Sequence, residues 1–298
     1  MKTIGIIGAP ITIGQPNKGV DFGPDAIRHA GLTKKLKEMK ALYNDYGNVG
    51  VLNQEAETAN PTTNLKNLDE VVAANELIAE KVHEVMKNNH FPLILGGDHS
   101  IAIGTIAGVQ PSYPNLGVIW YDAHADLNNE DTSPSGNIHG MSLAVNLGIG
   151  HPKLTSIRNG EVKVKPDNVV IIGARSIDEG ERELIKEKGI KVFTADDVER
   201  KGIDSVINES MDYLSETDGI HLSFDVDALD PLYTPGTGTP VAGGLSMRES
   251  LYALRLFHES KRITSAEFVE VNPLLDDQNK TAERTVELVA SFLGEKYI

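Results

Sequence analysis

No cysteine occurs anywhere in the chain. Disulfides, thiolate nucleophiles, iron–sulfur clusters and Cys-ligated zinc are excluded together, so any metal must be held by imidazole and carboxylate. Aromatics are scarce at 5%, with a single tryptophan. No apolar run reaches the roughly 18 residues that a membrane-spanning helix needs. Positive charge is short as well: 28 Lys and Arg stand against 43 Asp and Glu, and the net −15 argues against a broad nucleic-acid or anionic-membrane surface. The expected partner is a small molecule, with no nucleic acid and no membrane. The opening MKTIGIIGAP is a strand-like apolar run without a small-residue cleavage site, so no signal peptide is read and a cytoplasmic location is expected.

What is present is a 298-residue chain, 40% hydrophobic, with no linker or shift in composition, and a single domain over 1–298 is expected. Short β-rich apolar runs at 3–8, 92–95, 116–121, 168–172, 219–224 and 263–269 alternate with helical patterns at 24–39, 68–86 and 246–258. This alternation predicts an α/β fold of three layers, α/β/α, with a mainly parallel central sheet between helices. Sheets of that kind gather ligands at the carboxyl ends of their strands. Loops rich in Gly, Pro, Asn, Ser and Thr are read at 14–23, 60–67, 128–137 and 230–244, and the last two directly follow Asp clusters.

Three of the strand ends carry the chemistry. Asp122, His124 and Asp126 stand at i, i+2 and i+4 after the run 116–121, and an extended chain would aim all three at one point. Asp225 and Asp227 repeat that spacing after 219–224, and His99 follows Gly-Gly-Asp (96–98), where a strand ends and a helix is expected to begin. Without partners these carboxylates would repel one another and lose their hydration, whereas divalent cations would stabilise them together. Four Asp and two His suit two ions sharing bridging carboxylates, the aspartate charge balancing that of two dications. Oxygen-rich ligation with some imidazole favours Mn²⁺ ahead of Zn²⁺, Co²⁺ or Fe²⁺. An EF-hand is excluded, because Leu127 and Ser133 stand where such a loop starting at Asp122 needs Gly and Glu. No Walker loop, H-E-x-x-H or G-x-S-x-G occurs either.

Gly-Gly-Asp-His-Ser (96–100), Asp-Ala-His-Ala-Asp (122–126) and Ser-Phe-Asp-Val-Asp-Ala-Leu-Asp-Pro (223–231) resemble the three signatures of the ureohydrolase family, which includes arginases and agmatinases. The resemblance covers nearly the whole chain and is arginase-like from Gly8-Ala-Pro-x3-Gly14-Gln15 onward. It implies an arginase-type α/β sheet and two Mn²⁺ per subunit on His99, Asp122, His124, Asp126, Asp225 and Asp227. It also implies hydrolysis of L-arginine to L-ornithine and urea, with a hydroxide bridging the ions attacking the guanidinium carbon. Asn128, Ser135 and Asn137 are similar to the arginase loop that holds the substrate α-carboxylate. Asp178 and Glu181 resemble the acids that receive its α-ammonium group. Asp126 is implied as the proton relay, His139 as the shuttle to bulk water and Glu270 as the partner of the guanidinium. Thr239, in Gly236-Thr-Gly-Thr-Pro, is a further substrate-binding candidate. Ala125, Ala228, Asn129, Glu130 and Ser142 depart from commoner family residues, and none of them is a ligand position. A homotrimer or homohexamer is implied. Agmatine or another guanidino compound stays open as substrate, as do a metal-binding protein without turnover and a single-metal deacetylase-type hydrolase.

Overall fold

The computed structural model describes residues 2–51, 63–158 and 162–295, so residues 60–62 of the expected loop 60–67 lie outside them. The strands are β1 (Ile4–Ala9), β2 (Tyr43–Asn48), β3 (Phe91–Gly96), β4 (Leu116–Tyr121), β5 (Val169–Ala174), β6 (Lys191–Thr194), β7 (Gly219–Asp225) and β8 (Ile263–Val269). They form one sheet in the order β2-β1-β3-β8-β7-β4-β5-β6, and every pairing is parallel.

The six apolar runs of the sequence are the six inner strands. Each is covered on both faces, which is why it reads as a continuous apolar stretch. Alternate residues serve opposite cores: Ile7, Val118, Trp120, Val169 and Ile171 face one, and Ile6, Ile119, Tyr121, Val170 and Ile172 the other. The first core is closed by helices Leu68–Lys87 and Ala102–Val109, through Val71, Ile78, Val82, Ile103 and Ile106. The second is closed by Gly23–His29, Met247–Ser260 and Lys280–Phe292, through Ile27, Leu254, Phe257 and Val289. Sandwiched in this way, the sheet is the three-layer α/β/α fold expected.

Two expectations are corrected. The sheet has two edge strands that the apolar pattern missed, because β2 is largely exposed and reads Tyr-Asn-Asp-Tyr-Gly-Asn, while β6 is only four residues long. Pairing with β1 and β5 makes them strands, whatever their composition. The helix expected over 24–39 is two helices, Gly23–His29 and Leu32–Glu38, separated where Gly31 adopts φ 105.

The winding positions the site. The last two strands, β7 and β8, are inserted between β3 and β4, so the carboxyl ends of β3, β8, β7 and β4 stand side by side. Each of the four ends in acidic or imidazole side chains: His99 after β3, Glu270 after β8, Asp225 and Asp227 at β7, and Asp122 after β4.

Candidate metal centre

His99 is the hub. Its Nδ1 lies 3.0 Å from Asp122 Oδ2, 3.1 Å from Asp126 Oδ2 and 3.1 Å from Asp225 Oδ2. Among the described residues this buried nitrogen nevertheless has no partner in hydrogen-bonding geometry. A second group forms around His124, whose Nδ1 is 3.2 Å from Asp227 Oδ2 and 3.4 Å from Asp122 Oδ1. His99, Asp122 and Asp126, and then Asp122, His124 and Asp227, each gather donor atoms within 4.8 Å, so Asp122 is common to both groups. Three oxygens converging on one nitrogen with no hydrogen bond between them fit a divalent cation better than they fit a proton, which could serve only one of them.

The convergence differs in origin from the extended strand expected. The chain leaves β4 in bends, and Asp126 sits in the left-handed region at φ 51. Asp122 first ties its own turn, accepting the His124 amide at 2.7 Å on Oδ1 and the Trp120 indole N–H at 2.9 Å on Oδ2. Trp120, one face of whose ring stacks on the His99 imidazole at 4.1 Å and 5°, thus braces two members of the cluster. At β7 the same local device recurs, with the Asp227 amide donating to Asp225 Oδ1 at 2.8 Å.

The electrostatics record an unmet demand for positive charge. Burial first, and neighbouring carboxylates second, push Asp126 and Asp225 above the usual range and Asp227 to about 6. Burial opposes charge on His99 and His124, but the surrounding aspartates hold both imidazoles above their ordinary value, His124 at about 12. Asp122, though burial pushes it up, is carried well below the usual range by His124 and His99. Dications at these positions would replace the protons and remove the conflict.

A cavity of about 150 Å³ opens over the cluster, with His99, Asp126 and Asp225 among its lining residues. The expected recognition residues Asn128, Ser135, Asn137, Asp178, Glu181 and Thr239 also line it, as does His139. Asn128 donates from Nδ2 to Asp178 Oδ2 at 2.8 Å, so the expected carboxylate donor and the expected ammonium acceptor hold each other. Ser135 Oγ accepts the Asn137 amide at 3.2 Å, a local turn that sets the spacing of the two. Thr239 donates to Asp227 Oδ2 at 3.1 Å. Glu181 is engaged as a helix cap: its two oxygens accept the amides of Asp178 at 2.7 Å and Leu127 at 3.0 Å, and burial raises its carboxyl to about 7.

Glu270 is buried beside the cavity, with Oε1 accepting the His99 amide at 2.8 Å and Oε2 the Gln15 side chain at 2.9 Å. His139 Nδ1 lies 3.5 Å from Glu270 Oε1. Burial works to lower the His139 pKa, but Glu270, Asp126 and Asp98 more than offset it and hold it above the ordinary value.

Sequence reasoning missed several residues that support the site. Gln15 is one of them, since its side-chain amide orients the Glu270 carboxylate. Arg175 donates to the carbonyls of Asp227 at 2.8 Å, Ala228 at 3.0 Å and Val241 at 2.7 Å, stapling the loop after β7. Ser223 lies 2.8 Å from His99 Nε2 and 2.7 Å from Glu267. The available signal for Ser223 was polar residues at alternate positions, His221, Ser223 and Asp225, in a strand otherwise apolar.

A family model described as the arginase family matches residues 2–294. The arginase of Bacillus subtilis (strain 168) is 55% identical over 297 residues, which is 100% of this chain and 99% of that protein. Among solved structures, the native arginase of Bacillus caldovelox at pH 5.6 matches with a TM-score of 0.97 and 52% identity over the whole of both chains. An Entamoeba histolytica arginase in complex with L-ornithine matches with a TM-score of 0.90 and 35% identity over 99% of both chains.

Proposed function

The chain belongs to the arginase family of hydrolases, and from that premise we propose that it hydrolyses L-arginine to L-ornithine and urea with two Mn²⁺ ions per subunit. The observation that carries this reading is a single cavity with a carboxylate and imidazole cluster on its floor and the Asn128–Asp178 pair on its wall. A free amino acid offers a carboxylate and an ammonium group together. Such a zwitterion can exchange with that pair: its carboxylate takes the donors of Asn128, Ser135 and Asn137, and its ammonium group takes Asp178.

In this reading one ion would be held at His99, Asp122, Asp126 and Asp225 and the other at His124, Asp122 and Asp227, with Asp225 near enough to be shared. When bound, the ions neutralise the buried aspartates and lower the pKa of a water held over the cavity floor. Glu270 faces the planar guanidinium, its carboxylate already oriented by Gln15 and the His99 amide. Asp126, which lines the cavity beside the cluster, relays a proton to the departing nitrogen. His139 at the rim exchanges protons with bulk water, and Glu270 beside it keeps the imidazole basic. Thr239 steadies Asp227, and Glu181 holds Asp178 and the Asp126–Leu127 turn in place. The same proposal takes 1–298 as one catalytic domain, assembled as a homotrimer or homohexamer in the cytoplasm.

The test is urea release from L-arginine and from agmatine by Mn²⁺-reconstituted protein, with Asp126→Ala as control. Release from L-arginine that greatly exceeds release from agmatine and disappears in the control is the expected result. A preference for agmatine would overturn the substrate assignment, and absence of urea from both would overturn the reaction.

A further inference from the structure

One face of β7 and β8 carries a row of polar side chains running from the metal cluster into the core. The register pairs Ser223 with Glu267 and His221 with Ser265, and all four residues are fully buried. On the opposite face the same strands present Leu222, Phe224, Ala266 and Phe268, as a buried strand ordinarily does. Burying a carboxylate and an imidazole is seldom stabilising relative to apolar residues of the same size, so stability alone does not account for the row.

Counting protons shows what it does. Glu267 is an acceptor, and its Oε1 takes the Ser223 hydroxyl hydrogen at 2.7 Å. His221 Nε2 stands 3.3 Å from the same oxygen outside hydrogen-bonding geometry, with Nδ1 2.8 Å from Ser265 Oγ, so the Ser223 hydroxyl is the donor that holds Glu267 as an acceptor. With its only hydrogen committed to Glu267, Ser223 can only accept from His99 Nε2, 2.8 Å away. Nε2 therefore carries a hydrogen, and the lone pair of the neutral ring is on Nδ1, the atom that faces Asp122, Asp126 and Asp225.

We propose that Glu267, acting through Ser223, is a positioning residue that fixes the His99 tautomer and presents its Nδ1 lone pair to a divalent cation. The inference rests on the metal reading of the cluster and adds to it the group that orients one ligand. Partners of this kind, one bond behind a ligating histidine, raise metal affinity about 10- to 100-fold. Glutamate suits the role because it cannot donate. A glutamine there can donate to Ser223, which then donates to His99 Nε2 and leaves a hydrogen on Nδ1, where the cation belongs.

The experiment is a Mn²⁺ titration of the full chain, following free Mn²⁺ by electron paramagnetic resonance, for wild type, Ser223→Ala, Ser223→Thr and Glu267→Gln. The unfolding temperature of each metal-free protein is measured alongside. The expected result is two ions on the wild type and a loss of about 10- to 100-fold in affinity for one of them in Ser223→Ala and Glu267→Gln. The second ion keeps its affinity, and Ser223→Thr, which retains the hydroxyl, binds as the wild type does. Unchanged affinity for both ions in Ser223→Ala and Glu267→Gln would overturn the inference while leaving the metal reading intact. So would equal losses at both ions accompanied by a fall in the metal-free unfolding temperature, which marks a merely structural role. A wild type that binds no Mn²⁺ would overturn the metal reading and this inference with it.

Discussion

Glu270 occupies the left-handed region at φ 67, where a side chain costs energy of order 1–3 kcal/mol, and its amide is held on the Gly97 carbonyl at 2.9 Å. Neighbours that fix its carboxylate therefore matter as much as the carboxylate itself. Gln15→Leu removes the donor to Oε2, and a hydrogen bond to a charged group contributes about 1.5–3 kcal/mol, so kcat/KM for L-arginine should fall roughly 10- to 100-fold. Steady-state kinetics with metal analysis check this, since Mn²⁺ content should not change; wild-type kinetics would show that Glu270 needs no help. Asn128→Ala should raise KM for L-arginine about 10-fold, the equivalent of one ordinary hydrogen bond, with little effect on agmatine, which has no carboxylate to lose. Equal effects on the two substrates would rule out carboxylate recognition by Asn128. The legibility of individual residues followed their locality. Asp122, His124 and Asp126 were readable because their spacing is short, whereas Gln15 meets Glu270 across 255 positions, and nothing in either local segment marks the pairing.

At the scale of elements, the break between Gly23–His29 and Leu32–Glu38 depends on backbone conformation alone, because a Cβ placed on Gly31 meets nothing within 4 Å. Gly31→Ala should cost about 1 kcal/mol of left-handed strain. In a chain of this size that lowers Tm by about 2–4 °C, which calorimetry can resolve. The ends of Met247–Ser260 and Lys280–Phe292 are joined by His258, whose Nδ1 is 2.9 Å from the Phe292 carbonyl and whose Nε2 is 2.9 Å from Lys261 Nζ. The carbonyl needs a hydrogen from Nδ1, so Nε2 is the acceptor, and the ring is neutral. Burial, then the Lys261 charge, lowers its pKa from 6.5. Below 6.5 the unfolded chain takes up a proton that the folded chain resists, so stability falls as pH drops through that value and is fully present above it. His258→Gln should lessen this loss, seen as a Tm difference between wild type and variant that narrows from about pH 7.5 to 5. A constant difference across that range would contradict the assignment. The two edge strands show why elements were only partly legible: apolar alternation reports burial, and β2 has little of it.

Over the whole molecule, the dominant feature is negative charge, −15 overall, with Asp122, Asp126, Asp225 and Asp227 buried together. Ions that bind only the folded state stabilise it by mass action, about 2.7 kcal/mol per site at a hundredfold excess over Kd. Stripping the protein with a chelator should therefore lower Tm by several degrees, and Mn²⁺ should restore it in a concentration-dependent way. A Tm indifferent to Mn²⁺ would mean that protons alone satisfy the cluster. By itself the sequence determined the inner strands, the α/β class, the acidic strand ends and the family, because each is written in residues close together along the chain. Only the tertiary structure decided that β7 and β8 lie between β3 and β4, and that order brings His99 against Asp225, Glu270 against Gln15, and Ser223 between His99 and Glu267. The reason is physical: apolar period and ligand spacing are local, whereas strand order is settled by which faces of distant segments bury best against one another, and the groups that orient the site are set by that order.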